Sequence, residues 1–145
     1  MTLLDFINTM EKVASEQPSV NMIVRDSVYK LNEAPVCKYG AFCWTQQAHK
    51  ANEDYYTLSF WLFYVDRLTA DKGNQTEVQS VGCETLSNII RTLAQEFDCK
   101  EWQLNTFPAE RFKDDCSGAY ATASFVVPVT QPCPEIYEGK DILTI

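Results

Sequence analysis

Between Leu3 and Ala14 apolar residues recur at positions 3, 6, 7, 10, 13 and 14. This i, i+3, i+4 spacing predicts an amphipathic helix with one side for a core. Thr2 stands where an N-cap is wanted, Asp5 follows three residues later near the positive end of the helix dipole, and Pro18 stops the run. A second and longer helical pattern runs from Gln75 to Phe97, with apolar residues at 78, 81, 86, 89, 90, 93, 94 and 97. Asn74 and Glu77 have the spacing of a capping box at its start. Gly82 lies inside this helix and costs it about 1 kcal/mol relative to alanine, so it predicts close approach of another element.

The remaining patterns are those of strands. Ala41 to His49 opens with the strand-forming run AFCWTQ, and Tyr55 to Val65 reads YYTLSFWLFYV. The polar turn Ala51–Asp54 between them predicts an antiparallel hairpin. Trp102–Phe107 and Ala119–Val129 are two further strands, separated by a charged loop at 108–118. Along the second of them alanines at 121 and 123 lie on one face with Phe125, Val127 and Val129, small enough for a helix to press close. Pro128 belongs at a strand end or a sheet edge. Residues 20–36 are expected to hold one or two short strands around Met22–Val24 and Val28–Leu31, then a loop. Together these elements predict an α+β fold: a mostly antiparallel sheet of four to five strands with two helices on one face. Residues 1–130 read as a single domain, and 131–145 as an acidic tail or arm ending in Asp-Ile-Leu-Thr-Ile.

The aromatic strand adds a further expectation. One face carries Tyr56, Leu58, Phe60, Leu62 and Tyr64, and the other carries Trp61, Phe63 and Val65 in its second half. A strand apolar on both faces is covered on both faces. Three covers remain open for Trp61, Phe63 and Val65: the tail, a second subunit, or a small ligand.

Composition narrows the function classes. Among 145 residues, 12 Lys and Arg against 20 Asp and Glu give a net charge of −8, and the basic residues do not cluster. Nucleic acid and anionic membranes call for basic patches, so neither is an expected partner. No apolar run reaches the roughly 20 residues of a membrane span. Asp5 interrupts the stretch in which a signal peptide would need unbroken apolar residues. Six cysteines (Cys37, Cys43, Cys83, Cys99, Cys116 and Cys133) are irregularly spaced and include no C-x-x-C pair. They read as reduced structural thiols rather than disulfides or zinc ligands. His49 is the lone histidine, among polar neighbours, and reads as a surface residue. Asp114 and Asp115 read as a solvated turn, and Asp66 and Asp71 as loop residues that could pair with Arg67 or with a neighbouring subunit. Phosphate-loop, zinc-protease and nucleophile-elbow motifs do not occur. No metal, cofactor or catalytic residue is therefore expected.

The order of the elements carries a resemblance. An N-terminal amphipathic helix precedes a hairpin ending in Phe-Tyr-Val-Asp-Arg at 63–67, and a polar loop enters the helix at Asn-Gln-Thr-Glu-Val-Gln-Ser-Val, 74–81. A final strand at 118–128 then follows the charged loop Glu-Arg-Phe-Lys-Asp-Asp, 110–115. Over about residues 1–130 this layout resembles the tail-completion or tail-terminator proteins of long-tailed bacteriophages and prophages. The resemblance implies a non-enzymatic virion protein, made in the bacterial cytoplasm and then built into the tail or neck. It would form a ring, commonly of six subunits, that caps the tail tube or joins it to the head. Implied partners are copies of itself, the tail tube protein and the head–tail connector. Such a ring needs two different patches that close on each other. The sequence offers Trp61, Phe63 and Val65, with Arg67 and Asp71 in the loop that follows and Arg111, Asp114 and Asp115 in the charged loop. Two other readings stand beside it: an acidic protein-binding module of inhibitor or immunity type, and an enzyme built on Cys116, which Ser117 and Gly118 follow.

Overall fold

A computed structural model describes residues 2–33, 38–112 and 114–128. The acidic tail, Cys37 and Cys133 lie outside the described residues. The two helices form as their spacing predicts, α1 at Leu3–Ser15 and α2 at Gln75–Glu96. The Thr2 hydroxyl accepts from the Asp5 N–H at 3.1 Å and the Asp5 carboxylate accepts from the Thr2 N–H at 2.9 Å. Two orphan donors of the first turn are satisfied by this reciprocal pair, which holds the Asp5 carboxyl below its ordinary range. Asn74 departs from expectation. It makes no side-chain cap bond to α2, and instead its amide closes the preceding loop, accepting from the Thr69 N–H at 2.8 Å and donating to the Arg67 carbonyl at 3.2 Å.

Five strands make one sheet: β1 (Met22–Arg25), β2 (Ala41–Ala51), β3 (Tyr55–Arg67), β4 (Asp98–Arg111) and β5 (Asp115–Pro128), in the order β1-β2-β3-β5-β4. All neighbours are antiparallel except β1 and β2, which run parallel. The sheet is thus mixed, because the chain leaves β1, crosses over and returns in the same direction. The charged segment at 108–118 is mostly strand: β4 runs through Arg111 and β5 starts at Asp115, and the Phe112 N–H donates to the Asp114 carbonyl at 3.0 Å. Pro108 is accommodated because β4 is an edge strand whose register shifts between Phe107 and Glu110. Pro128 closes β5 opposite Tyr55.

Residues 28–33 correct the expectation of a strand. Asp26 takes a left-handed φ of 74° and ends β1. The Ser27 hydroxyl then accepts from the Tyr29 N–H at 3.2 Å, and Val28–Glu33 winds into a 3-10 helix. Val28 and Leu31 are three apart, the period that puts both on one side of such a helix, and both are buried.

Both helices cover the same face. Phe6 of α1 sits against Phe60, Phe97 and Phe125 with ring centroids 5.1–5.6 Å apart. Leu86, Ile89, Ile90 and Leu93 of α2 are buried on the same side as Ala119, Ala121 and Ala123. At Gly82 a Cβ would stand 3.0 Å from the Tyr64 ring and 3.1 Å from the Ala119 backbone; α2 lies that close to β3 and β5. A polar node fixes α1 to the sheet. Glu11, 8% exposed, accepts from the Trp44 indole N–H at 2.9 Å and from Arg25 Nε at 2.8 Å, with Arg25 Nη2 on its other oxygen.

Candidate functional site

The sheet face opposite α1 and α2 divides into two halves along β3 and β5. Toward the start of β3 it is polar: Thr57 and Ser59 on β3 stand beside Ser124 on β5, the Ser59 and Ser124 hydroxyls 2.8 Å apart. That is the ordinary chemistry of a sheet face in water. Toward the end of β3 it is aromatic. Phe63 lies directly opposite Tyr120, and Trp61 lies one step along the same face. The three ring centroids form a triangle with sides of 6.1, 6.1 and 6.4 Å, and the ring planes are within 30° of one another.

This platform is the floor of a groove of about 220 Å³. One wall is the 3-10 helix, with Val28 and Tyr29; the other comes from the end of β4, with Phe107 and Glu110, and from Phe112 just beyond it. The walls meet where Tyr29 and Phe112 approach at 6.0 Å. Trp61 is 36% exposed and Tyr29 63% exposed. Among the described residues, Glu110 is the one charged residue in the lining.

Val65 does not belong to this surface. It is fully buried in a second core with Val28, Leu31, Ala41, Cys43, Phe107, Phe112 and Cys116. The cover over the end of β3 is the chain's own 3-10 helix, the end of β4 and Phe112. The proximity of Val65 to Trp61 and Phe63 in sequence is therefore not proximity in exposure.

The other predicted residues gather at the adjoining end of the sheet. Arg67 Nη2 is 3.8 Å from Asp114 Oδ1, and Asp114 Oδ2 accepts from the Tyr39 hydroxyl at 2.9 Å. Arg111 Nη1 is 3.3 Å from Asp115 Oδ1. These pairs are solvated and add little stability; they fix the rim of the groove beside Phe112. Asp71 stands apart from them. Its Oδ1 accepts from the Thr69 hydroxyl at 2.6 Å and the Gly73 N–H at 3.0 Å, and these bonds hold its carboxyl below the ordinary carboxylate range. It shapes its own loop.

Cys116 is fully buried, and its thiol donates to the Asp114 carbonyl at 3.4 Å. Cys43, Cys83, Cys99 and Cys116 remain thiols, and burial pushes the Cys83 and Cys99 thiols up. His49 is exposed beside the Tyr56 ring at 5.0 Å. Among the described residues, no group of three His, Cys, Asp or Glu stands together to hold a metal ion, and no helix is long and apolar enough to cross a membrane.

Sequence reasoning reached Glu110 and Phe112 only as part of the charged loop 108–118 and missed Tyr29, Phe107 and Tyr120. Tyr120 alternates with Thr122 and Ser124, so it reads as an isolated aromatic until the β3–β5 register sets it against Phe63. Comparison with models of known protein families finds no match to this chain, and comparison with functionally characterised proteins finds no match either.

Proposed function

We propose that the chain is a non-enzymatic structural subunit of a bacteriophage or prophage virion. It would close into a ring that caps the tail tube or forms the head–tail joint. The observation that carries this reading is the aromatic platform of Trp61, Phe63 and Tyr120. It lies on the face opposite α1 and α2 and is bordered by the ion-paired loops of Arg67, Asp114, Arg111 and Asp115. An aromatic platform with Trp61 exposed and Phe63 and Tyr120 half-buried, framed by a polar rim, has the anatomy of a protein interface. The architecture supports the same reading, because two helices on one face of a largely antiparallel sheet is the layout the resemblance implies. The net charge of −8 would keep free subunits apart in solution until assembly.

Light scattering of the purified full-length chain over a wide concentration range tests the proposal, with tail tubes then added. The expected result is a closed ring of about six subunits, alone or templated at tube ends. A chain that stays monomeric at every concentration and leaves tube ends bare would overturn it. Trp61→Asp should abolish assembly while leaving the circular dichroism spectrum intact, since Trp61 is already in contact with water.

A further inference from the structure

We infer that the groove over Trp61, Phe63 and Tyr120 is a receptor for a cation, namely an arginine or lysine side chain carried by the protein that docks on this face. The location of the docking face rests on the proposed assembly role; the chemistry of the occupant is argued from the groove itself. Its floor is three aromatic rings, and Tyr29 and Phe112 add two more at the walls. The face of an aromatic ring carries partial negative charge and attracts an ammonium or guanidinium group within about 6 Å. Among the described residues the one charged lining residue is Glu110, so the apolar walls are joined by a carboxylate. Glu110 is exposed, so its carboxylate stays hydrated at the groove edge and offers a docked cation an ion-pair partner that a leucine or phenylalanine anchor cannot use. A cation satisfies rings and carboxylate together.

The surrounding charges leave this preference intact. Arg67 and Arg111 are engaged with Asp114 and Asp115. The chain as a whole carries −8, which favours encounter with a basic segment. Size points the same way. Cofactor and drug-sized sites run from about 300 Å³ upward, and a groove of about 220 Å³ suits one side chain.

The test is a titration of the full-length chain with choline, with N-acetyl-arginine amide, and with 3,3-dimethyl-1-butanol, the uncharged carbon isostere of choline. Binding is followed by tryptophan fluorescence in a Trp102→Phe background, which removes the other exposed indole. Saturable binding of the two cations, with the isostere at least about tenfold weaker, is expected. Glu110→Gln should weaken the cations by up to about fivefold and leave the isostere unchanged, and Trp61→Ala, followed by calorimetry because it removes the reporting indole, should abolish cation binding with circular dichroism unaltered. Equal binding of choline and the isostere would show a merely apolar groove and overturn the inference, as would no binding of any of the three. These outcomes are separate from the ring test: a monomeric chain that binds cations loses only the assembly reading, and a ring that ignores them loses only this inference.

Discussion

Removing the carboxylate of Glu11 should destabilise the protein by about 3 kcal/mol, and the structure separates that sum into parts. Glu11 is 8% exposed and is the acceptor for the indole N–H of Trp44, itself 4% exposed. In Glu11→Ala that N–H is left buried without a partner, which costs roughly 1–3 kcal/mol. The Arg25 side chain is 58% exposed, so water takes over most of its bonding and loss of the ion pair adds at most about 1 kcal/mol. Loss of the buried methylenes adds about 1 kcal/mol more. Glu11→Gln keeps an acceptor for the indole and should cost only about 1 kcal/mol. Trp44→Phe removes the donor, so in that background Glu11→Ala should lose most of its effect. Urea unfolding followed by far-ultraviolet circular dichroism measures all four corners of the cycle. For a chain of this size, the single alanine variant should melt roughly 6–12 °C below the parent. An alanine variant within about 0.5 kcal/mol of the parent, or two changes that simply add, would refute the account of this node as the tie between α1 and the sheet.

Three further outcomes follow from other positions. Gly82→Ala should gain about 1 kcal/mol of helix propensity but lose about 1–3 kcal/mol to overpacking against Tyr64 and Ala119, a net destabilisation visible in the same urea assay; a more stable variant would refute the close approach. Burial, helped by the negative charge of Asp66, pushes the Tyr64 hydroxyl up to about 12. The unfolded chain loses this proton near the ordinary tyrosine value, so the contribution is complete below about pH 10. It is lost as pH rises toward 12. Tyr64→Phe should flatten that alkaline loss, and an unchanged pH profile would count against it. Val65→Asp should unfold the chain or cost more than about 3 kcal/mol, whereas Trp61→Asp should stay within about 1 kcal/mol of the parent; equal stabilities would contradict the division between buried and exposed positions on this face.

Both helices, the central hairpin and the small-residue seam under α2 were legible in the sequence because each rests on a local period or a local turn. Val28–Glu33 was not, because the signal was a single i, i+3 pair in a segment with several β-branched and aromatic residues. The long reach of β4 and β5 was hidden by their charges: Glu110, Arg111 and Asp115 read as loop residues, yet at the end of an edge hairpin charged side chains can point to water without leaving the strand. The candidate site was half legible. Trp61 and Phe63 stood out because an apolar second face on a strand demands a cover. Val65 was assigned to that surface by the same alternation, which does not reveal that the chain folds its own cover over one end. Tyr29, Phe112 and Tyr120 reach the groove from separate parts of the chain, and only strand register and the crossover bring them there.

The strand order also governs the time course of folding. Three residues separate β2 from β3 and three separate β4 from β5, so each antiparallel pair zips locally on the microsecond scale. The seam between β3 and β5 is different. Its thirteen pairs begin at Arg67 with Cys116, 116 − 67 = 49 positions apart, and end at Tyr55 with Pro128, 128 − 55 = 73 apart. The loop that must close holds all of α2 and β4, and its entropy is paid before the seam returns any bonding. Until then β3 is a bare edge, and Tyr55–Val65 presents eleven consecutive residues without a charge. Such an edge is a template for pairing with other chains. Gly118 sharpens the hazard, because any side chain there would collide with the Tyr64 carbonyl and hold the seam open. The vulnerable species is therefore the chain with both hairpins made and the seam unmade, and dilute, cool conditions during synthesis should favour recovery of the native protein over aggregate.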